Sequence, residues 1–246
     1  MKARFDASGD VIVVTGGANG IGRALARAAA GAGARVIVCD VDQKAMDRLV
    51  AEDASIAACR LDVGDRDAVM TTFGAIEQQY QRIDGLVCGA AVQPRTHADA
   101  TDPAEWQRVL NINLNGVLWC YQAVIGGMIA RRRGSIIAFS SGLAHQGWPG
   151  ASAYAATKGA LIAFAKSAAK EIAPHRVRFN LIAPGVIDTP QYLAANAGAD
   201  HERWRASTGV GVPEDVVGPL MFLLSDAATM TASLLSRDFA YPASDA

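Results

Sequence analysis

Tyr154 and Lys158 stand four residues apart in the run Tyr-Ala-Ala-Thr-Lys, and Ser141 precedes the tyrosine by thirteen. On a helix that spacing places a phenol and an ammonium side by side on one face. A phenol alone, with an ordinary pKa of about 10, is a poor proton shuttle near neutrality. A cation beside it favours phenolate and brings the group nearer the working pH. A serine hydroxyl arriving from another strand could hold a substrate oxygen against the phenol. The trio suits proton transfer at an alcohol or carbonyl oxygen. Because a Tyr/Lys pair at this spacing arises by chance in many helices, the reading needs a second, independent feature.

That feature lies near the start. Val11-Ile12-Val13-Val14 is a β-branched run that reads as a buried strand. Thr15-Gly16-Gly17-Ala18-Asn19-Gly20-Ile21-Gly22 follows, and then an alanine-rich helical segment. A glycine-rich turn between strand and helix lets backbone approach a pyrophosphate at the positive end of the helix dipole. A second apolar run at 35–39 ends in Asp40, eighteen residues past Gly22. A carboxylate there accepts hydrogen bonds from ribose hydroxyls and repels a 2′-phosphate, which favours NAD over NADP. Cys39, Val41 and Asn19 bring no positive charge to offset that repulsion, and Arg35 lies at the far end of its strand.

These motifs together resemble the short-chain dehydrogenase/reductase family over nearly the whole chain. Thr15 to Gly22 matches the family's T-G-x-x-x-G-x-G turn. Leu61-Asp62-Val63 is similar to its adenine-side segment, and Asn113-Leu114-Asn115-Gly116 to its N-x-x-G helix motif. Pro184-Gly185-Val186-Ile187-Asp188-Thr189 matches the segment that contacts nicotinamide. The resemblance implies a catalytic set of Asn113, Ser141, Tyr154 and Lys158. It implies a cofactor surface of Thr15, Gly16, Asn19, Gly20, Ile21, Gly22, Asp40, Asp62, Val63, Ala90, Pro184, Gly185, Ile187 and Thr189, with Tyr154 and Lys158 shared. Asn113 would support a water chain carrying the proton outward, and Lys158 would also bind the nicotinamide ribose. Two departures stand out. Cys88-Gly89-Ala90-Ala91 replaces the usual Asn-Asn-Ala-Gly turn, and the C-terminus lacks the family's V-D-G-G-like ending.

To present these residues together, the chain must alternate strand and helix. Strands are predicted over 11–14, 35–39, 57–61, 85–88, 135–140, 177–182 and near 234–240, with long helices over 104–131 and 153–173. Such alternation predicts an α/β fold, a single-domain Rossmann-like doubly wound parallel sheet of about seven strands with helices on both faces. Gly16, Asp40, Asp62, Ala90, Ser141 and Pro184 all fall just past predicted strands, where ligands of such sheets bind. The 246 residues suffice for one domain with a sizeable core. Net charge is −1, from 23 basic and 24 acidic residues, which leaves no electrostatic footprint for nucleic acid. Four scattered cysteines read as core residues in a reducing compartment, with no metal spacing. No signal-like stretch and no window of about 20 apolar residues is evident, so a cytoplasmic protein without membrane contact is expected. The alanine-rich helix at 153–173 allows close approach to the sheet or to another subunit, and the resemblance implies a homo-oligomer, a dimer or tetramer.

Substrate candidates are His145, Gln146 and Trp148 between the serine and tyrosine, Gln93, Arg95 and His97 on the loop at 92–99, and Gln191 and Tyr192 past Pro184. The segment 189–209 reads as a short lid. Three functions stay open: an NAD-dependent dehydrogenase of a small polyol, sugar or cyclic alcohol; an NADPH-dependent ketoreductase of the 3-oxoacyl type; and a non-catalytic NAD-binding sensor.

Overall fold

Val11–Thr15 is apolar on both faces until its last residue, and all five residues are buried, as a strand covered by helices on both sides requires. The computed structural model describes residues 3–198 and 209–237. Seven strands form one parallel sheet: β1 (Val11–Thr15), β2 (Arg35–Asp40), β3 (Ile56–Arg60), β4 (Gly85–Cys88), β5 (Gly134–Phe139), β6 (Val177–Ala183) and β7 (Leu234–Ser236). Their spatial order is 3-2-1-4-5-6-7. The winding direction reverses between β1 and β4, which opens a crevice at the carboxyl edge. Every expected strand is present with its bounds shifted by no more than a residue or two, save the last. That one ends at Ser236, and residues 238–240 lie outside the described residues.

Helices α1 (Gly20–Gly31), α2 (Gln43–Glu52) and α9 (Glu214–Leu224) cover one face, burying Leu25, Leu49 and Leu220. Helices α3 (Arg66–Tyr80), α5 (Gly116–Arg131) and α7 (Ser152–Ile172) cover the other, burying Phe73, Val124 and Leu161. Asp42 and Asp65 start α2 and α3 by accepting from the amides of Ala45 and Ala68, each at 3.0 Å. The helix expected over 104–131 is real but interrupted. α4 (Pro103–Leu110) begins at the Asp102 cap with Pro103 in its first turn, a π-turn spans Asn111–Asn115, and α5 continues. By length and composition alone, Pro103–Arg131 would pass as a bilayer-crossing helix, contrary to the sequence expectation. In the fold α5 packs on α3, β4 and β5, with Val117, Cys120 and Met128 buried.

Phe179 of β6 anchors the α5/α7 side of the core. Its ring stacks on Tyr121 at 5.9 Å and meets Phe164 edge-on at 5.7 Å. The four cysteines are free thiols, and Cys39 and Cys59 face each other across β2 and β3 with sulfurs 3.2 Å apart. Because Phe179 is fully buried in this aromatic cluster, Phe179→Ala should lower unfolding free energy by about 3–5 kcal/mol in a denaturant titration. A loss under about 1 kcal/mol would mean the cluster is not part of the rigid core.

Candidate active site

The crevice at the carboxyl edge is one cavity of about 1390 Å³. Its floor is the turn between β1 and α1. Gly16 adopts φ +65, and a Cβ there would lie 2.6 Å from the amide nitrogen of Ala90. A Cβ on Gly22 would collide with the carbonyl of Gly16. Both glycines are required by backbone packing, and the turn is drawn tight against the segment after β4. The side chain of Asn19 does not cap α1 and no acid occupies its first turn, while Gly20, Ile21 and Gly22 line the cavity. An uncapped first turn and the helix dipole are features that suit an anion. Asp40 is fixed beside it, its carboxylate accepting from the amides of Ala18 at 3.0 Å and Asp42 at 3.1 Å.

The next two strands are followed by segments that one helix positions. Asn113, fully buried, accepts from the Val92 amide and donates to the Val92 carbonyl, both at 2.8 Å. Gly116 meets Val63 so closely that a Cβ would lie 2.8 Å from its side chain. Thus the Asn-x-x-Gly motif holds Val63 after β3 and Val92 after β4. Asn113 is not among the cavity-lining residues and grips Val92 from behind the wall. Thr15 likewise closes β1, buried behind the cavity, with its carbonyl accepting from Gly89 at 3.0 Å.

Helix α7 carries Tyr154 and Lys158 one turn apart, and both line the cavity with Ser141, which follows β5. The ammonium of Lys158, only 3% exposed, donates to the Phe139 carbonyl at 2.8 Å. It lies 5.4 Å from the centre of the Tyr154 ring, over the face of the ring. Burial pushes the Tyr154 phenol up to about 12, with a hydrogen bond from Ser141 and the charge of Arg95 pulling the other way. Burial brings Lys158 down to about 8. The sequence expectation that Lys158 lowers the phenol is not met in this geometry. Desolvation dominates, and the ammonium addresses the ring face and a carbonyl instead of the hydroxyl.

Pro184 and Gly185 follow β6, and Gly185 packs against the Arg237 carbonyl just past β7. Thr189 starts α8 (Pro190–Ala195), accepting from the Tyr192 amide at 3.1 Å, and its methyl closes over Gly20. Asp62, Val63, Ala90, Ile187, Gln93, Trp148, Gln191 and Tyr192 all line the cavity as expected. His145 does not. On the short helix α6 (Leu143–Gln146), Leu143 and Gln146, three apart, face the cavity while His145 is exposed. Residues 199–208 of the expected lid lie outside the described residues.

Arg60, Arg108 and Asn196 are among the cavity residues that escaped the sequence reading. Arg60 is the register partner of Asp40 on β3, so both side chains leave the same face of the sheet. Arg108 of α4 and Asn196 past α8 also line the cavity. Arg60 sits at a strand end two residues before Asp62, a position that could have signalled it. The cavity fits a dinucleotide: it exceeds the volume of a usual small-molecule site, has an uncapped helix start at its floor, and backbone walls that Cβ atoms would fill.

The family model described as short chain dehydrogenase matches residues 10–200. Over 237 residues the chain is 35% identical to the 3-oxoacyl-(acyl-carrier-protein) reductase FabG of Thermotoga maritima, covering 94% of this chain and 96% of that protein. Over 242 residues it is 36% identical to the cis-4-hydroxycyclohexanecarboxylate dehydrogenase of Sinomonas cyclohexanicum, covering 95% and 96%. The crystal structure of levodione reductase superimposes with a TM-score of 0.89 at 27% identity, over 96% of this chain and 97% of that one. A tyrosine, lysine and serine around a dinucleotide-sized cavity, and family likeness along nearly the full length, converge: the chain belongs to the short-chain dehydrogenase/reductase family and is an NAD(P)-dependent oxidoreductase acting on the CH–OH group of alcohols or on the corresponding ketones.

Proposed function

We propose that the chain interconverts a secondary alcohol and its ketone with NAD, the alcohol being a small polyol, sugar or cyclic alcohol, and that Ser141, Tyr154 and Lys158 are the catalytic side chains with Asn113 as their support. The observation that carries the reading is the placement of Tyr154, Ser141 and Lys158 together in a cavity whose far end holds Asp40 and the glycine turn. NAD would be held by the α1 amides, Asp40, Asp62, Val63, Ala90 and the segment from Pro184 to Thr189, and it supplies the hydride acceptor. The protein's own work is proton transfer and positioning. Tyr154 takes the hydroxyl proton in oxidation and returns it in reduction, Ser141 orients the substrate oxygen, and Lys158 keeps a positive charge against the phenol ring. Asn113 acts through the Val92 peptide, fixing the wall that carries Gln93 and Arg95. Support for a cyclic substrate comes from the hydroxycyclohexanecarboxylate dehydrogenase relative and the aromatic walls Trp148 and Tyr192. The free thiols accord with a reducing, cytoplasmic setting. The small residues Ala156 and Ala163, exposed on α7, accord with a homo-oligomer.

A second reading, a 3-oxoacyl reductase using NADPH, draws on the Thermotoga maritima relative and on Arg60, a cation beside Asp40 in the cavity. Asp40 weighs against it, since its carboxylate is locked toward the glycine turn by two backbone amides.

Tyr154→Phe should keep cofactor affinity and lose at least about 10²-fold in turnover on an alcohol panel. Turnover near that of the unmodified chain would remove the phenol from the mechanism.

Cofactor choice tests Asp40. The chain should prefer NAD over NADP by at least about tenfold in kcat/KM, equivalent to about 1.4 kcal/mol. Asp40→Ser should narrow the gap, because the repulsion goes and Arg60 remains to meet a 2′-phosphate. Equal or better turnover of the unmodified chain with NADP would place the reductase reading first.

Lys158 gives a pH prediction. Its folded value, about 8 against an ordinary 10.5, means that the buried ammonium opposes folding most below pH 8. Between about 8 and 10.5 the unfolded chain binds the extra proton, so the penalty is relieved as pH rises. Chemical denaturation of the wild type and Lys158→Met at several pH values should show the difference moving toward the wild type across that window. A difference independent of pH would mean that the burial does not perturb the ammonium.

A further inference from the structure

We propose that Cys39 and Cys59 are a thiol pair that peroxide closes to a disulfide, and that the closed form loosens the dinucleotide held at Asp40; the second half rests on the cofactor reading above. The two cysteines are register partners on the parallel strands β2 and β3, so their side chains leave the same face of the sheet. Neighbouring strands lie about 4.8 Å apart, inside the Cα separation of about 4.4–6.8 Å that a disulfide spans. The sulfurs stand 3.2 Å apart, against the roughly 2.05 Å of a sulfur–sulfur bond. Cys39 is buried, while Cys59 is half-buried on β3, the edge strand of the sheet, and so keeps surface open to solvent. Packing asks only for small apolar side chains here. The two preceding pairs, Ile37 with Ala57 and Val38 with Ala58, meet that need with a large residue against a small one. Cys39 with Cys59 instead sets two oxidisable groups face to face.

The pair has a direction. The hydrogen bond between the sulfurs lowers the Cys59 thiol and, with burial, raises that of Cys39. Cys59, the one with surface, is therefore the thiolate that attacks, and Cys39 resolves. In the first step the Cys59 sulfur bonds to one peroxide oxygen, the O–O bond breaks, and the departing hydroxide takes a proton to become water. In the second the Cys39 sulfur attacks the resulting sulfenic acid. The S–S bond forms, the S–O bond breaks, and hydroxide leaves with the Cys39 proton as a second water. The pair gives up two electrons and peroxide accepts them. In a reducing compartment such a bridge is transient, because thiol–disulfide exchange reopens it. Its consequence lies one residue further along each strand. Asp40 and Arg60 follow the two cysteines directly, and both line the cofactor end of the cavity. The Asp40 carboxylate is set by the amides of Ala18 and Asp42. Drawing the sulfurs together by about an ångström pulls on the strand ends that hold this carboxylate against the glycine turn.

The test treats the full reduced chain with hydrogen peroxide, which is then removed. Of the four free thiols, two should disappear, peptide mapping without reductant should find Cys39 bonded to Cys59, and dithiothreitol should restore all four. In Cys39→Ala the attacking thiol has lost its partner, so Cys59 should accumulate as a sulfenic acid that dimedone traps. Cys59→Ala should form no bridge. Dissociation constants for NADH and NADPH are read by cofactor fluorescence before and after oxidation. For the tighter of the two, the constant should rise at least about fivefold in the oxidised chain, return with dithiothreitol, and ignore peroxide in Cys59→Ala. Four thiols surviving peroxide, or a bridge through Cys88 or Cys120, would overturn the thiol pair. A Cys39–Cys59 bridge that leaves cofactor affinity where it was would overturn the link to Asp40. If the bridge forms in a chain that binds neither dinucleotide even when reduced, the thiol site stands and the cofactor reading falls.

Discussion

The peptide of Val92, gripped on both its N–H and its C=O by the buried side chain of Asn113, is the contact on which the rest of the site depends. A single amide side chain satisfies donor and acceptor of a non-helical segment that leaves the sheet, so neither group is stranded. The same side chain reaches Thr157, the residue before Lys158, at 3.4 Å. One residue therefore ties the wall after β4 to the helix that presents the phenol and the ammonium. Asn113 lies at the middle of a π-turn over Asn111–Asn115 that interrupts the regular helix. Such a turn is an irregularity often found at functional sites.

Close backbone approach is the second constraint, and it works with the first. Gly16 packs on Ala90, Gly116 on Val63 and Gly185 on Arg237. Side chains at these positions would push apart the carboxyl ends of the strands. With them absent, the cavity walls are backbone and short side chains, and polar reach is left to a few groups. The cost of that closeness is desolvation. The phenol and ammonium of α7 are each driven toward their neutral forms by burial, so their protonation states answer to whatever charge enters the cavity. A site in that condition is responsive to bound ligands, since a small change in local charge shifts which proton is held.

Much of this was legible in the residues themselves. β-branched runs, glycine turns and alanine-rich helices placed seven strands and their crossovers, because local periodicity and burial on both faces leave a parallel sheet few alternatives. Tyr154, Lys158, Ser141, Asp40 and the glycine turn could be named from spacing and order alone, since each chemistry constrains its own short segment. What escaped was orientation between segments. His145 and Gln146 are neighbours in the chain, yet only Gln146 and Leu143 face the cavity, because one short turn of helix decides which side is shown. Arg60 joins the cofactor end through its register with Asp40, a pairing twenty residues apart that periodicity does not encode.

The residues by themselves determined the fold class, the family and which side chains are candidates for proton transfer, because these follow from local pattern and from residue chemistry. Tertiary structure decided the electrostatic state and the division of labour. Lys158 turned out to face a carbonyl and a ring, Asn113 and Thr15 support the site from behind it, and Arg95, one of several polar loop residues in the linear chain, became a guanidinium clamped to the Ala195 carbonyl and the Asn196 side chain. The reason is physical: burial, desolvation and hydrogen-bond satisfaction are properties of what surrounds a group on every side, and most of those neighbours are distant in the chain.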